Sequence, residues 1–350
     1  MTRQLKYFQA LHEALDLSLA RDPSVYVMGL GVPDPKGIFG TTAGLQQKHG
    51  ARRVLDMPTS ENGMTGVALG SALAGMRPVM THQRIDFALL AIEQIVNQAA
   101  KWHYMFGGKA KVPLVIRLII GRGWGQGPQH SQSLQAWFAH VPGLQVVMPA
   151  TPYDAKGLLM SAIAGDNPVI FLEHRWLYGI SGPVPEGDYR VPIGEARVAR
   201  PGKDLTFVAV SYMTLEALRA AERLAAAGIA AEVIDVRSLR PLDVPRIVES
   251  VAKTGRLVVA DTGWTFAGFS AEIVALVAER LHGKLKAPPV RIALPDCPTP
   301  TSPTLSAAYY PRAVDLVAAA RRLLGLPPEP PEPPPATPLD VPDPGFTGPF

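Results

Sequence analysis

A single cysteine, Cys297, stands in the whole 350-residue sequence. That excludes a disulfide framework and any zinc site built on cysteine pairs, and it is compatible with a reducing cytoplasm. Charge is sparse as well, at 18% of residues with a formal net charge of only +4. The basic residues never form a run of five, so they read as a solvated surface and not as a nucleic-acid platform. Long apolar runs are missing too. The most apolar stretch, 112–120, is far too short to cross a bilayer. The first residues, Met1-Thr2-Arg3-Gln4-Leu5-Lys6-Tyr7, lack the apolar core of a secretion signal. The expectation is a soluble cytoplasmic protein that engages neither membrane nor nucleic acid.

Other absences narrow the chemistry. His82, His103, His140 and His174 lack the spacing of a metal cage. Ser131 follows His130, but no Gly-x-Ser-x-Gly surrounds it, which argues against a serine hydrolase. The glycine-rich stretch 121–127 is not followed by Gly-Lys-Ser/Thr, so it is not a phosphate loop.

What is present is an apolar chain, 47% hydrophobic, long enough for two cores. Short apolar runs alternate with helical patterns. Strands are expected at 25–30, 54–57, 79–81, 112–120, 144–148 and 169–173, and helices at 7–20, 62–75, 87–105 and 153–164. Residues 181–203, rich in Gly and Pro, read as a linker. The alternation then restarts, with strands at 204–210, 231–235, 256–260 and 290–293 and helices at 213–227, 244–253, 268–282 and 311–324. Largely apolar strands alternating with helices predict parallel sheets covered on both faces. The fold class is thus α/β, with two doubly wound domains at 1–180 and 204–326. From 327 to 350 the recurring prolines exclude both helix and sheet and predict an extended tail.

Two constellations carry chemical possibilities. In Pro58-Thr59-Ser60-Glu61-Asn62-Gly63-Met64, a glutamate opens a helix of small residues. Alone, it is as well explained by attraction to the helix N-terminus. In Gly121-Arg122-Gly123-Trp124-Gly125-Gln126-Gly127-Pro128-Gln129-His130-Ser131-Gln132, a histidine follows a glycine-rich turn after a buried strand. Ligands of α/β sheets bind at such strand ends, although a surface histidine in a turn fits equally.

Taken together, the motifs resemble a family. They are Pro58-Thr59-Ser60-Glu61-x-Gly63, Gly70-x-Ala72-x-Ala74-Gly75-x-Arg77-Pro78, Phe87, Gln94-Ile95-Val96-Asn97, Gln129-His130-Ser131-Gln132, Pro142-Gly143-Leu144, Asp154-Ala155-Lys156-Gly157 and Asp235-Val236-Arg237-Ser238-Leu239-Arg240-Pro241. The chain resembles the beta subunit of the thiamine-diphosphate-dependent decarboxylase component of 2-oxoacid dehydrogenase complexes (pyruvate, branched-chain and acetoin types), within the transketolase superfamily. The resemblance implies a pyrimidine-binding domain followed by a transketolase C-terminal-type domain. It implies that Glu61 hydrogen-bonds the cofactor's aminopyrimidine ring and that Phe87 stacks on it, with Thr59 and Met64 alongside. His130 would face the substrate, with His82, Arg122 and Gln129 as further substrate contacts.

The superfamily's Gly-Asp-Gly…Asn-Asn element, which holds Mg²⁺ on the diphosphate, is absent from this sequence. An alpha-type partner chain is therefore implied, in a two-fold heterotetramer. A potassium ion held by the backbone of Leu114, Ala162, Ile163, Gly165 and Asn167 is implied as well. The function expected is decarboxylation of a 2-oxoacid with acyl transfer to a lipoyl acyltransferase. Thr81-His82-Gln83-Arg84 departs from the family's usual acid followed by apolar residues. That departure points to a more polar substrate and keeps open a split transketolase-like subunit acting on a ketose and an aldehyde. A non-enzymatic partner role is a third reading, opposed by the joint presence of Glu61, Phe87 and His130.

Overall fold

The computed structural model describes residues 3–121 and 126–329. Its first half is built on a seven-stranded sheet. From edge to edge the strands are Ser238–Arg240, Gln145–Val147, Val169–His174, Val115–Ile120, Arg77–His82, Val25–Gly29 and Val54–Leu55. All neighbours are parallel except the first pair. The central strands are buried throughout, as expected of a parallel sheet with helices on both faces. Helices Tyr7–Arg21 and Pro152–Ala164 pack together on one face, with Leu11, Leu15 and Leu19 buried at helical spacing. Helix Glu61–Leu73 and the segment Glu93–Ala99 cover the other face.

The second half is a five-stranded sheet in the order Val290–Leu294, Leu257–Trp264, Leu205–Ala209, Ala231–Asp235 and Arg197–Arg200. Helices Tyr212–Ala226 and Ala313–Leu323 share a core with this sheet. The two halves are laced together. Strand Ser238–Arg240 leaves the second half and joins the first sheet, where Met148 N donates to Arg237 O at 2.7 Å.

Two expectations need correction. The stretch expected as a linker carries strands at both ends. Ser181–Pro183 pairs antiparallel with Gln4–Lys6, and Arg197–Arg200 closes the edge of the second sheet. Backbone groups lying against packed halves are satisfied by pairing rather than left to solvent.

The expected continuous helix 87–105 is instead broken into helix Ile85–Ala88, a 3₁₀ turn Leu89–Ala91, a π-helix Glu93–Ala99 and helix Trp102–Met105. Side chains stabilise the wide turn: Gln98 Nε2 donates to Glu93 Oε1 at 2.8 Å, five residues away, and Trp102 Nε1 donates to Gln98 Oε1. Gln94 thereby lies against Gly66 on the helix that begins at Glu61. Such π segments recur at functional sites.

Candidate active site

Glu61 is the first residue of helix Glu61–Leu73 and is only 8% exposed. Among the described residues no hydrogen bond or ion pair reaches its carboxylate. An acid is favoured at a helix N-terminus by the peptide dipoles. Yet burying a carboxylate without a partner costs free energy unless something outside the chain completes it. A carboxylate so placed can accept a hydrogen bond from a ligand.

A second cluster forms at the C-terminal ends of the strands. Phe87, half-buried, meets the His130 imidazole edge-to-face with centroids 5.4 Å apart. The segment 126–132 that carries His130 is pinned at both ends. Arg175 Nη1 donates to Gln126 Oε1 at 3.2 Å, and Gln132 Nε2 donates to Asp86 Oδ1 at 2.8 Å. His130 Nδ1 donates to Gln129 O at 2.5 Å, so in the neutral ring Nε2 is left as the acceptor. Gln129 and His130 are both exposed. Gly121, φ +86°, turns the chain out of strand Val115–Ile120. A side chain there would stand 2.8 Å from His174 Cε1, so glycine is required. The arrangement can exchange a proton at His130 Nε2, stack an aromatic ligand on Phe87 and offer a carboxylate from Glu61.

The remaining expected residues fall differently. His82 is buried, with Nε2 3.3 Å from Thr65 Oγ1, one turn beyond Glu61 on the same helix. Burial pushes its pKa down to about 4, so the ring is neutral. His82 thus supports the Glu61 helix and does not open to a ligand. Met64 is half-buried against the core, and Thr59 is exposed. Arg122 lies outside the described residues. Arg175, Asp86 and Gln132, which hold the His130 segment, were not anticipated. Their pairing is long-range, and the only trace in the sequence is polar residues flanking apolar strands.

Comparisons with known proteins bear on the family and the fold. Residues 3–180 match the model of the transketolase pyrimidine binding domain, and 194–316 match that of the transketolase C-terminal domain. The chain is 47% identical to the beta subunit of acetoin:2,6-dichlorophenolindophenol oxidoreductase of Cupriavidus necator, covering 93% of this chain and 98% of that one. It is 45% identical to the beta subunit of the mitochondrial pyruvate dehydrogenase E1 component of Caenorhabditis elegans, over 91% and 92% of the two chains. A solved split-gene transketolase, described as an inactive beta4 tetramer, superposes with TM-score 0.74 at 28% identity, over 92% and 99%. The chain belongs to the E1 beta subunit family of pyruvate and acetoin dehydrogenases. Members of this family are heteromeric thiamine-diphosphate enzymes that work with an alpha partner.

For an E1 beta chain, the fit to its expected ions can be tested on these residues. Two of the carbonyls expected to ring potassium already hold a cation. Arg77 Nη1 donates to Ile163 O at 3.1 Å and to Gly165 O at 2.6 Å, and Nη2 donates to Asp166 Oδ1. Leu114 O accepts from Val169 N, Ala162 O accepts from Gly165 N, and Asn167 is exposed. A second monovalent cation beside the guanidinium would be opposed by charge, so these residues do not fit potassium. Among the described residues no group of three His, Cys, Asp or Glu could hold a metal ion.

Proposed function

We propose that this chain is the beta half of a 2-oxoacid dehydrogenase E1 component, acting in the cytoplasm on a small 2-oxoacid and passing the acyl unit to the lipoyl group of an acyltransferase partner. The observation that carries the reading is the buried Glu61 carboxylate, without a partner among the described residues, at the helix start in the pyrimidine-binding half. Thiamine diphosphate, when bound, supplies the nucleophilic carbon and electron sink for decarboxylation. The chain's own residues would do the rest. Glu61 would hold a proton on the ring nitrogen of the aminopyrimidine, Phe87 would stack on that ring, and His130 Nε2 would receive or return a proton near the substrate. An alpha-type subunit would bring the Gly-Asp-Gly…Asn-Asn element and Mg²⁺ to the diphosphate end. The 45% identity to a pyruvate dehydrogenase subunit, against 28% for the split transketolase, supports an oxoacid reaction over ketol transfer.

Calorimetry of thiamine diphosphate with Mg²⁺ tests the shared site. Tight binding is expected only when the chain is mixed with its alpha-type partner. Equally tight binding to the lone chain would refute division of the site between subunits.

A further inference from the structure

The second half of the chain presents a wall to the His130 segment, and a cavity of about 450 Å³ lies between them. Gln129 and Gln132 line it from the first half, and Trp264, Asp296 and Cys297 from the second, together with Pro128 and Pro298. The two sides meet beside it: a side chain on Gly127 would stand 2.3 Å from Thr301 Oγ1. Gln129 precedes His130 in the chain and accepts its Nδ1 proton on the backbone carbonyl. The cavity therefore starts one residue, about 3.8 Å of backbone, from the imidazole. Its far wall is braced. Cys297 O accepts from Trp264 Nε1 at 2.9 Å and from the Tyr309 hydroxyl at 3.2 Å, and Thr299 Oγ1 donates to the same hydroxyl at 3.3 Å.

The chemistry of the lining is one-sided. No Lys, Arg or His lines the cavity, so it holds no cation for a substrate carboxylate. Nor does any Leu, Ile, Val, Met or Phe line it, so it is not a socket for a branched aliphatic chain. What it offers is unspent hydrogen-bonding capacity. Gln132 gives Nε2 to Asp86 and keeps Oε1. The side chains of Gln129 and Asp296 make no hydrogen bond or ion pair among the described residues. Acceptors thus predominate, with one free amide that both donates and accepts. A hydroxyl, which donates and accepts in turn, matches that set, and its bond to a carboxylate is charge-assisted. The polar residues that the sequence offered for this purpose, His82 and Arg84, are 2% and 4% exposed and do not line the cavity.

We propose that this cavity is a subsite for the distal part of the substrate and that it takes a chain bearing hydroxyl groups. Asp296 and Gln132 Oε1 accept from them, and the Gln129 amide donates to them. The proposal rests on the reading given under Proposed function and narrows it to hydroxylated 2-oxoacids, with Asp296 as the residue that sets specificity.

The test compares 4-hydroxy-2-oxobutanoate with 2-oxopentanoate, which differ by a hydroxyl in place of a methyl. In the complex reconstituted with the alpha-type partner, thiamine diphosphate and Mg²⁺, kcat/KM should favour the hydroxylated acid by about tenfold or more. Asp296→Ala should bring that ratio close to one, and Asp296→Asn, which keeps an acceptor oxygen, should restore part of it. Cys297 is the sole thiol of the chain and is exposed, so its alkylation by iodoacetamide reports occupancy without turnover. In the full chain, 4-hydroxy-2-oxobutanoate should slow alkylation of Cys297, read by peptide mass spectrometry, and 2-oxopentanoate should not. No preference for the hydroxylated acid overturns the proposal, as does a preference that survives Asp296→Ala. If the wild-type complex turns over no 2-oxoacid, the functional reading fails on its own. The subsite is then judged by alkylation, where equal rates with the two acids overturn it.

Discussion

Glu61 concentrates the argument at the scale of single residues. Its position at a helix start has an ordinary electrostatic explanation, and only its burial without a hydrogen-bond partner among the described residues separates it from the many acids so placed. Glu61→Gln keeps the size and removes the exchangeable charge. Turnover of the reconstituted complex should fall by about 10²–10⁴-fold, the usual range for a lost proton-transfer group, with assembly unchanged by size-exclusion chromatography. Residual activity near wild type would remove Glu61 from the proton path. The buried histidines set a second residue-scale expectation. Burial holds His82 near pKa 4 and His174 near 3, both below the ordinary 6.5. Above pH 6.5 neither state binds the extra proton and stability is flat. As pH falls below 6.5 the unfolded chain takes up protons that the folded chain refuses. Stability therefore drops by up to about 1.4 kcal/mol per pH unit for each histidine, until the folded pKa is reached. Denaturant melts of His174→Gln between pH 6.5 and 4.5 should show a smaller loss than wild type; an unchanged slope would mean the unfolding reaction does not sense His174.

Between residues and the whole chain stand the elements, where sequence reading was most accurate for strands and least for the segment after Phe87. The apolar strands were legible because burial on both faces of a parallel sheet demands unbroken runs. The π-helix Glu93–Ala99 was not, because its amino acids also suit an ordinary helix. Its width is set by Glu93, Gln98 and Trp102 bonding along it, and by what it packs against. Gly143 shows one such constraint. With φ +100°, its absent side chain would lie 1.9 Å from Ala100 O, at the end of the π segment. Gly143→Ala should destabilise the chain by about 3 kcal/mol, combining left-handed strain with a displaced backbone. Within the sheet, Arg117 and Glu173 form a fully buried bidentate pair at 2.6 and 2.9 Å. Glu173→Gln leaves the guanidinium unneutralised and should cost about 3–5 kcal/mol in urea melts. A loss under 1 kcal/mol would show that the bond from Arg117 Nη2 to Thr41 Oγ1 and the remaining amide oxygen suffice for Arg117.

At the scale of the whole molecule, the two halves are not independent beads. Strand Ser238–Arg240 covers the edge of the first sheet, Arg237 Nη1 bonds Asp154 Oδ1 at 2.9 Å, and Gln135 Nε2 reaches Asp261 Oδ1 at 2.8 Å. Residues 1–203 expressed alone should expose strand Gln145–Val147 as an unpaired edge and aggregate, whereas the full chain should not. Monodisperse folded monomer from that fragment would contradict the lacing. From the sequence alone came the α/β class, the two-domain order and the family, with Glu61, Phe87 and His130 as candidates for the site, because these depend on local periodicity and on motifs with fixed chemistry. Only the tertiary structure decided that His82 faces inward to Thr65, that Arg77 fills carbonyls expected for potassium, and that Asp296 and Cys297 share a cavity with Gln129 and Gln132. Each of those facts joins residues far apart in the chain, and a linear pattern carries no information about which buried groups meet or which residues share a cavity.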